Sequence, residues 1–328
     1  GYDFVSLGPA SPDQIDAYGI IPEMLAQSNL FFSGHLTTSG GEISLPAVRA
    51  CAEVIFKAAA IEEGGFANLR FAALASVPPW VPFFPAAYHQ GKTSAFGLAI
   101  EAADLALTAF SEANSLADAQ DRLVQSIEMH ANKLETIGNE LARIYLVDFK
   151  GIDFSLAPFP NPGISIGAAL EQLGLKKLGD SGSLAAAAFL MNCLDRARFT
   201  RTGFNGLMLP VLEDGVLAQR GAEGVLGIKD LLLYSAVCGT GLDTVPLPGD
   251  ASVEQIQSVL LDIAALSLRL KKPLTARLMP IPGKQAGDET GFSFEYFAPG
   301  KVLPLPSQSL QGLFAGSENV PIISRVPA

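Results

Sequence analysis

Short apolar runs that end near a proline recur along the chain, and helical patterns lie between them. The runs lack strict alternation of apolar and polar residues, which is typical of strands covered on both faces in an α/β sheet or barrel. Because proline cannot donate a hydrogen bond to a neighbouring strand, it marks where each predicted strand ends. The predicted strands span residues 4–9, 29–33, 69–78, 153–158, 206–210, 231–237 and 274–280.

Four helical patterns begin near a serine whose hydroxyl can accept hydrogen bonds from the first turn. Ser252 with Gln255 forms a capping box, and Pro273 ends that helix. Strand, loop and helix therefore alternate, which indicates the α/β class. Without a linker or a change of composition, we expect one α/β barrel domain over residues 1–328, preceded in the natural protein by a further N-terminal segment. The four serines are Ser44, Ser115, Ser183 and Ser252.

The composition argues against several classes of protein. Hydrophobic residues make up 49% of the chain and charged residues 17%, which excludes an intrinsically disordered protein. A net charge of −11 argues against binding to nucleic acid or to an anionic membrane surface. No apolar run reaches the roughly 18–20 residues that span a bilayer. Three widely spaced cysteines, Cys51, Cys193 and Cys238, form no zinc-binding pattern, so we expect a cytoplasmic protein.

The strongest candidate site follows the predicted strand at 231–237. Glycines and polar residues come together there in a predicted tight loop, and glycine lets a backbone approach a ligand closely. Two carboxylates in such a loop suit a divalent cation or acid–base catalysis. A structural turn, in which Asp243 caps backbone N–H groups, is the alternative. The candidate residues are Cys238, Gly239, Thr240, Gly241, Asp243 and Asp250.

The two glycines of this segment, Gly239 and Gly241, do not indicate a nicotinamide cofactor. A dinucleotide-binding fingerprint needs a helix that begins at its glycines and faces the pyrophosphate. Here Pro246 and Pro248 follow instead, and the next predicted helix begins only after them. We therefore expect no nicotinamide cofactor.

Two further loops hold candidate residues. Residues 78–89 are rich in proline and aromatic residues, so they form either a pocket wall with His89 as a catalytic group or a rigid packed loop. Residues 202–215 carry Asn205 and two adjacent carboxylates, which suit ligand or metal binding but are also common in exposed turns. A divalent metal is one possible cofactor, with Asp243, Asp250 and Glu213 as its candidate ligands.

Arg70 and Arg277 fall within apolar strand patterns, where a charged side chain must be paired or used. We predict that both arginines bind an anionic group of a substrate, together with Asn205 and the segment 239–241. The sequence lacks the motifs of a nucleophile elbow, a phosphate-binding loop, a zinc hydrolase and a kinase. These residues therefore predict a polar site without identifying a reaction.

Four strings of residues resemble the domain of unknown function 711 (DUF711) family, a relative of uncharacterised protein family 0210. The likeness covers essentially the whole chain, and the string Cys-Gly-Thr-Gly-Leu-Asp-Thr-Val-Pro-Leu-Pro-Gly-Asp is its most specific part. The resemblance implies a fold similar to pyruvate formate-lyase, which is a ten-stranded α/β barrel in two halves surrounded by helices. The four strings span residues 68–79, 82–89, 203–214 and 238–250.

The resemblance does not imply radical chemistry, because residues 291–328 contain nothing like the glycine loop of glycyl-radical enzymes. Cys238 corresponds to their active cysteine only by analogy. We interpret the chain as an enzyme acting on a small polar or anionic metabolite, with Cys238, Asp243 and His89 as catalytic candidates. A non-catalytic ligand-binding or regulatory protein is the alternative. The high apolar content favours a homo-oligomer.

Overall fold

Helices and strands alternate through the computed structural model, which describes residues 2–237 and 240–325. The helices are α1 Asp16–Gln27, α2 Leu45–Ala58, α3 Ala103–Ser111, α4 Leu116–Tyr145, α5 Ile166–Gln172, α6 Ser183–Arg196, α7 Gly215–Ala222, α8 Ile228–Ser235 and α9 Val253–Leu270. The strands are β1 Ser6–Ala10, β2 Phe31–His35, β3 Glu42–Ser44, β4 Phe71–Ala75, β5 Ala95–Glu101, β6 Asp148–Ala157, β7 Gly241–Pro248, β8 Leu274–Ile281 and β9 Asn319–Pro321. This order confirms the α/β class.

A five-stranded mixed sheet in the order β1-β2-β4-β8-β7 is the largest sheet. Strands β1, β2 and β4 run parallel, β8 runs antiparallel to β4, and β7 runs parallel to β8. Two smaller sheets pair β5 with β6 and β3 with β9. Within residues 2–237 and 240–325 these strands do not close into a barrel, so the expected ten-stranded barrel is not formed by them.

The segment between β6 and β7 connects the β5–β6 pair to the edge of the large sheet. Arg201 forms an isolated parallel bridge with Ile152 of β6, and Pro210 forms one with Asp243 of β7. The predicted strand at 206–210 is therefore wrong as a regular strand, since only Pro210 pairs in this way. Its backbone is instead held by side chains, as described below for the site.

Helices α2 and α9 pack against each other and cover one face of the large sheet, where the main hydrophobic core lies. Successive strand residues point to opposite faces, so Ala73 contributes to this core while Ala72 and Leu74 belong to a smaller cluster on the other face. Cys51 of α2 is buried in this core, and its Sγ donates to Gly34 O at 3.6 Å. The second face of the sheet is left for polar groups and loops.

Three of the four predicted serine caps are confirmed. The hydroxyls of Ser44, Ser115 and Ser252 accept hydrogen bonds from backbone N–H groups in the first turns of α2, α4 and α9. Ser183 is the first residue of α6 rather than its cap, a position that Gly182 takes. None of the helices within the described ranges is both long and apolar enough to cross a membrane.

The predicted strand at 231–237 is wrong, because these residues belong mainly to helix α8. A short apolar run cannot distinguish a buried strand from a buried helix, and here Asp230 accepts a hydrogen bond from Gly227 N at the helix start. The strand follows instead as β7, where a loop was predicted. Pro246 and Pro248 lie inside β7, which is possible because β7 is the edge strand of its sheet.

Candidate functional site

Arg277 of β8 binds two carboxylates on the sheet face that α2 and α9 leave uncovered. Its Nε donates to Asp243 Oδ1 at 2.6 Å, and its Nη2 donates to Glu213 Oε1 at 2.7 Å. The side chains of Arg277 and Asp243 are 11% and 12% exposed, and that of Glu213 is 24% exposed. We call these three residues the Arg277 cluster. It brings together three of the predicted site residues.

A bulge in β7 places Asp243 opposite Arg277. Leu242 pairs with Ala276 and Val245 pairs with Leu278, so Asp243 and Thr244 together face the single residue Arg277. Thr244 has a φ of +40°, and a bulge of this kind redirects side chains within a strand. Leu242 and Val245 can therefore both point into the main core while Asp243 points to the opposite face.

Backbone contacts to the same bulge hold Glu213 in place. Val211 N donates to Asp243 O at 3.0 Å, and Leu212 N donates to Thr244 Oγ1 at 3.3 Å. The neighbouring Asp214 faces away from the cluster and caps α7, accepting hydrogen bonds from the N–H groups of its first turn. Of the two adjacent carboxylates, only Glu213 therefore reaches Arg277.

Within the cluster, the carboxyl of Glu213 titrates close to neutral pH. Burial raises the pKa of Glu213 to about 7, and Arg277 opposes this rise while Asp243 and Glu101 add to it. Glu101, the last residue of β5, has its own pKa raised by desolvation. Burial alone would lower the pKa of Arg277, but its two carboxylate partners raise it, so the guanidinium stays charged. A carboxyl that titrates near neutral pH can both donate and accept a proton.

A second buried carboxylate, Asp153 of β6, holds the loop that leads to Glu213. It accepts hydrogen bonds from the Ser155 hydroxyl, from Phe204 N at 2.7 Å and from Asn205 N at 2.9 Å. Burial raises the pKa of Asp153 to about 6. Gly203 is required beside it, because its φ is +75° and an added Cβ would lie 2.1 Å from Asp153 Oδ2.

Asn205 itself is engaged with the backbone of the same region. Its Oδ1 accepts from Phe154 N at 3.1 Å, and its Nδ2 donates to Thr202 O at 2.7 Å. Its φ of +45° is a conformation that asparagine tolerates better than most residues. In this structure Asn205 connects the 202–208 loop to β6, and its predicted contact with a substrate stays a prediction.

A pocket of about 590 Å³ opens where β8 ends, next to the Arg277 side of the sheet. Phe66, Phe292 and Phe294 line it, and Lys284 is a cationic side chain at its wall. These phenylalanines also surround Met279, which follows Arg277 by two residues and so points to the same face. The pocket and the Arg277 cluster are therefore neighbours along one strand.

Comparison with known proteins identifies the family. Residues 4–295 match the family described as Uncharacterised ACR (DUF711). The chain belongs to the DUF711 family. It is 35% identical to a UPF0210 protein of Pyrobaculum aerophilum over 75% of this chain and 56% of that protein. It is 32% identical to a UPF0210 protein of Syntrophobacter fumaroxidans over 83% of this chain and 63% of that protein. The chain thus spans about three-fifths of these relatives' length.

Arg70 of this DUF711 chain lies apart from the Arg277 cluster. Its guanidinium donates to Leu25 O and Ser28 O at the C-terminal end of α1, and it pairs with Glu62. Free carbonyl groups at a helix end attract cations, so Arg70 caps this helix. Arg70 and Arg277 share no hydrogen-bond partner among the described residues. Their joint binding of one ligand group stays a prediction.

Thr240 and Gly241 connect strands in this structure. The Thr240 hydroxyl donates to Leu207 O at 2.8 Å, and Thr240 O accepts from Thr275 N at 2.7 Å. Gly241 has a φ of +99°, and an added Cβ would lie 2.2 Å from Thr275 O. Gly241 therefore lets the backbone lie close to β8. The sequence had predicted that this glycine lets the backbone approach a ligand.

The remaining predicted residues are scattered or lie outside the described ranges. Asp250 is exposed beyond the end of β7, where it accepts a hydrogen bond from Gln285 at 3.2 Å. His89 is exposed on the 78–89 loop, where its ring packs edge-on against Trp80 and its Nε2 contacts Thr93 O. Cys238 and Gly239 lie outside the residues that the structure describes. Within residues 2–237 and 240–325, no three His, Cys, Asp or Glu side chains form a metal-binding group.

Sequence reasoning missed two acidic residues of this region, Asp153 and Glu101. Asp153 lies inside the predicted strand at 153–158, so the argument that selected Arg277, a charge within an apolar run, applies equally to it. Glu101 is the last residue of β5, a strand that is not followed by a proline and was not predicted. No pattern in the sequence relates Glu101 to Glu213. Asp153 could therefore be predicted from the sequence, whereas the relation of Glu101 to Glu213 depends on tertiary structure.

Proposed function

We propose that this chain binds a small polar metabolite at the Arg277 cluster and that Glu213 serves there as an acid–base group. The observation that supports this proposal is a buried arginine shared by two carboxylates, one of which has its pKa raised to about 7. Perturbed pKa values of this kind concentrate at functional sites, because proton transfer is most efficient when the pKa matches the surrounding pH.

The free atoms of the cluster define what a ligand must offer. Within the described ranges, Asp243 Oδ2, Glu213 Oε2 and Arg277 Nη1 make no hydrogen bond. One cation and two carboxylates sum to a net charge of −1 when Glu213 is ionised. A simple anion would be repelled, so the charge balance favours a polar ligand with an amine or several hydrogen-bond donors over a purely anionic one.

Each residue then has a role in the proposed chemistry. Arg277 Nη1 donates a hydrogen bond to an acceptor on the ligand, and Asp243 holds the guanidinium in position through Nε. Glu213 takes up or releases a proton at Oε2. The aromatic pocket at the end of β8, whose phenylalanines also pack around Met279, offers space for the rest of the ligand.

The donor set of the cluster does not fit a resident metal ion. The Arg277 cation already lies between Asp243 and Glu213. Asp250, the third predicted ligand, comes seven residues after Asp243, past the end of β7. At about 3.3 Å per residue this separation is on the order of 20 Å. The proton transfer proposed for Glu213 therefore involves no metal ion.

Thermal-shift titration of the purified chain with amino acids, amines, polyols and simple carboxylates tests the proposal. We expect stabilisation by amine-bearing or polyol compounds, and we expect Asp243→Asn to abolish it. Asp250→Asn is the matched control, because this carboxylate is exposed and outside the cluster. Stabilisation by carboxylates alone, or an unchanged response of Asp243→Asn, would refute the proposal. Elemental analysis of the same samples tests the conclusion that the Arg277 cluster holds no metal ion.

A non-catalytic ligand-binding protein that uses the same cluster is the second candidate function. The observation that favours it is the density of strand-to-strand contacts made by Thr240, Gly241 and Asn205, which leaves fewer free groups for chemistry. Glu213→Gln separates the two, since it preserves the shape of the side chain but cannot transfer a proton. Loss of turnover with retained binding supports the enzyme, and the Cys238 nucleophile stays a separate prediction.

We further propose that the family fold is a barrel similar to that of pyruvate formate-lyase. The bridges Ile152–Arg201 and Pro210–Asp243 support this, because they continue strand contacts from the β5–β6 pair towards β7. An experimental structure of a longer DUF711 protein tests it. Continuous strand pairing around both sheets would agree with the proposal, and two separate open sheets would contradict it. The expected cytoplasmic location stays a prediction.

A further inference from the structure

Three separate segments of the chain build the aromatic pocket at the end of β8. They are the turn at residues 63–66, the end of β8 with the residues that follow it, and residues 290–294. Gly65 has a φ of +71°, and an added Cβ would lie 2.2 Å from Pro280 O, so only glycine lets the turn lie this close to β8. The volume of about 590 Å³ is within the range of small-molecule sites.

Three phenylalanine rings form the apolar wall of this pocket. The ring centroid of Phe66 lies 5.0 Å from that of Phe294, in an edge-to-face arrangement, and 6.0 Å from that of Phe292. The buried ring of Phe297 contacts all three of them. The three rings are themselves only partly buried and line the pocket. Because planar groups stack on such rings, the wall favours a ligand that contains an aromatic ring.

Two polar side chains of the pocket carry hydrogen-bond donors without a partner. Lys284 is half-buried, and its ammonium group forms neither an ion pair nor a hydrogen bond with the described residues. The Lys284 backbone is fixed, because its N donates to Ile281 O at 3.1 Å and its O accepts from Gly249 N at 2.9 Å. Thr290 is 5% exposed, and its hydroxyl makes no hydrogen bond within the described part of the chain. Donors of this kind point to a ligand with acceptor atoms.

The charges of the pocket favour an anionic group beside the ring. Among the described residues that line it, Lys284 is the only cation and Glu63 the only carboxylate. Glu63 is exposed, so water and salt screen its charge, whereas the half-buried ammonium group keeps more of its attraction. A ring that carries an amine gains only the screened carboxylate. A ring that carries a carboxylate or a phosphate gains the ammonium group and the Thr290 hydroxyl as donors.

We propose that this pocket binds an aromatic ring that carries an anionic group, a carboxylate or a phosphate ester. Lys284 and Thr290 donate hydrogen bonds to the anion, and the three phenylalanines contact the ring. This role of the pocket rests on the proposed function in one respect. The Arg277 cluster and the pocket serve one ligand, whose amine or hydroxyl groups lie at the cluster and whose aromatic, anionic part lies in the pocket.

Isothermal titration calorimetry of the purified chain with phenyl phosphate and phenylacetate tests the pocket, because each probe joins an aromatic ring to an anionic group. We expect at least one of them to bind. Benzyl alcohol offers only the ring, and phosphate and acetate offer only the charge, so these three should bind at least about tenfold more weakly. The stronger of the two probes shows whether the anion is a phosphate ester or a carboxylate.

Substitutions in the wall should weaken the binding of the stronger probe. We expect a loss of about tenfold for Lys284→Met, which removes the cation, and for Phe292→Ala, which removes one ring. Lys92→Met is the matched control, because Lys92 is exposed and does not line the pocket. Lys284→Met leaves the aromatic packing in place, so it stays informative if circular dichroism shows that Phe292→Ala disturbs the fold.

The probes carry neither an amine nor several hydroxyl groups, so they report on the pocket alone. Asp243→Asn should therefore leave their binding unchanged, even though it abolishes the response of the Arg277 cluster to amines and polyols. Absence of binding by both probes, equal binding of benzyl alcohol, or unchanged binding in Lys284→Met would overturn the assignment of the pocket. The response of the cluster to amines and polyols would be unaffected by these results, so the two failures are distinguishable.

Discussion

At the scale of single residues, Arg277 determines how three charges can be buried together. An arginine within an apolar strand is tolerated because Asp243 and Glu213 satisfy two of its donors at 2.6 and 2.7 Å. The two carboxylates likewise depend on Arg277, since neither has another cationic partner within the described residues. Removal of the arginine would leave two buried carboxyl groups on adjacent backbone segments without a cationic partner.

We therefore expect Arg277→Ala to lower the free energy of unfolding by about 3–5 kcal/mol, the usual cost of breaking a buried ion pair on one side. Urea denaturation monitored by circular dichroism measures it. Arg143→Ala, an exposed arginine on α4, is the control and should change stability by less than about 0.5 kcal/mol. A loss below about 1 kcal/mol for Arg277→Ala would mean that water already screens the cluster.

The raised pKa of Glu213 predicts a dependence of stability on pH. Between its ordinary value of 4.5 and about 7, the folded state holds a proton that the unfolded chain releases. The free energy of unfolding therefore falls as pH rises through this window. Glu213→Gln removes this contribution, so its stability relative to wild type should rise by on the order of 2 kcal/mol between pH 5 and pH 8. Parallel pH profiles for the two proteins would contradict the assignment.

Burial of a charge could be predicted from the sequence, but its partner could not. The apolar surroundings of Arg70 and Arg277 predicted that each must be paired or used, and both form ion pairs in the structure. They did not reveal that Arg70 binds the end of α1 while Arg277 binds Asp243 and Glu213. Those partners are set by sheet order and by the bulge in β7, which are tertiary features with no local signature.

At the scale of elements, capping predicted helix starts well, and apolar runs predicted strands less well. Serine caps act within a few residues, so the beginnings of α2, α4 and α9 are legible in the sequence. The run at 231–237 was ambiguous because it is too short for its periodicity to decide, and the edge position of β7 explains why two prolines do not exclude a strand.

Gly241 marks the most constrained point of β7. Its φ of +99° and the 2.2 Å between an added Cβ and Thr275 O mean that any side chain must displace the β8 backbone. We expect Gly241→Ala to cost about 2–4 kcal/mol, more than backbone strain alone. Gly91→Ala is the control, because Gly91 has a φ of +107° with no heavy atom within 4 Å of an added Cβ. Equal losses in thermal unfolding experiments would show that only the φ angle matters.

At the scale of the whole molecule, the large sheet has two different faces. Helices α2 and α9 bury one face in an apolar core, and the other face holds the Arg277 cluster, the aromatic pocket and the packed 78–89 loop. The family resemblance predicted the α/β class and the family correctly, but the strands described here form open sheets. Strand closure depends on long-range pairing, which neither composition nor local pattern encodes.

Titration of the Glu213 carboxyl carbon, followed by ¹³C nuclear magnetic resonance, tests the proposed acid–base role of this residue directly. Its signal is assigned by its disappearance in Glu213→Gln. We expect a midpoint near pH 7, because burial beside Asp243 and Glu101 outweighs the Arg277 charge. A midpoint near the ordinary value of 4.5 would show that Glu213 is simply the ionised partner of Arg277 and would remove the basis for its acid–base role.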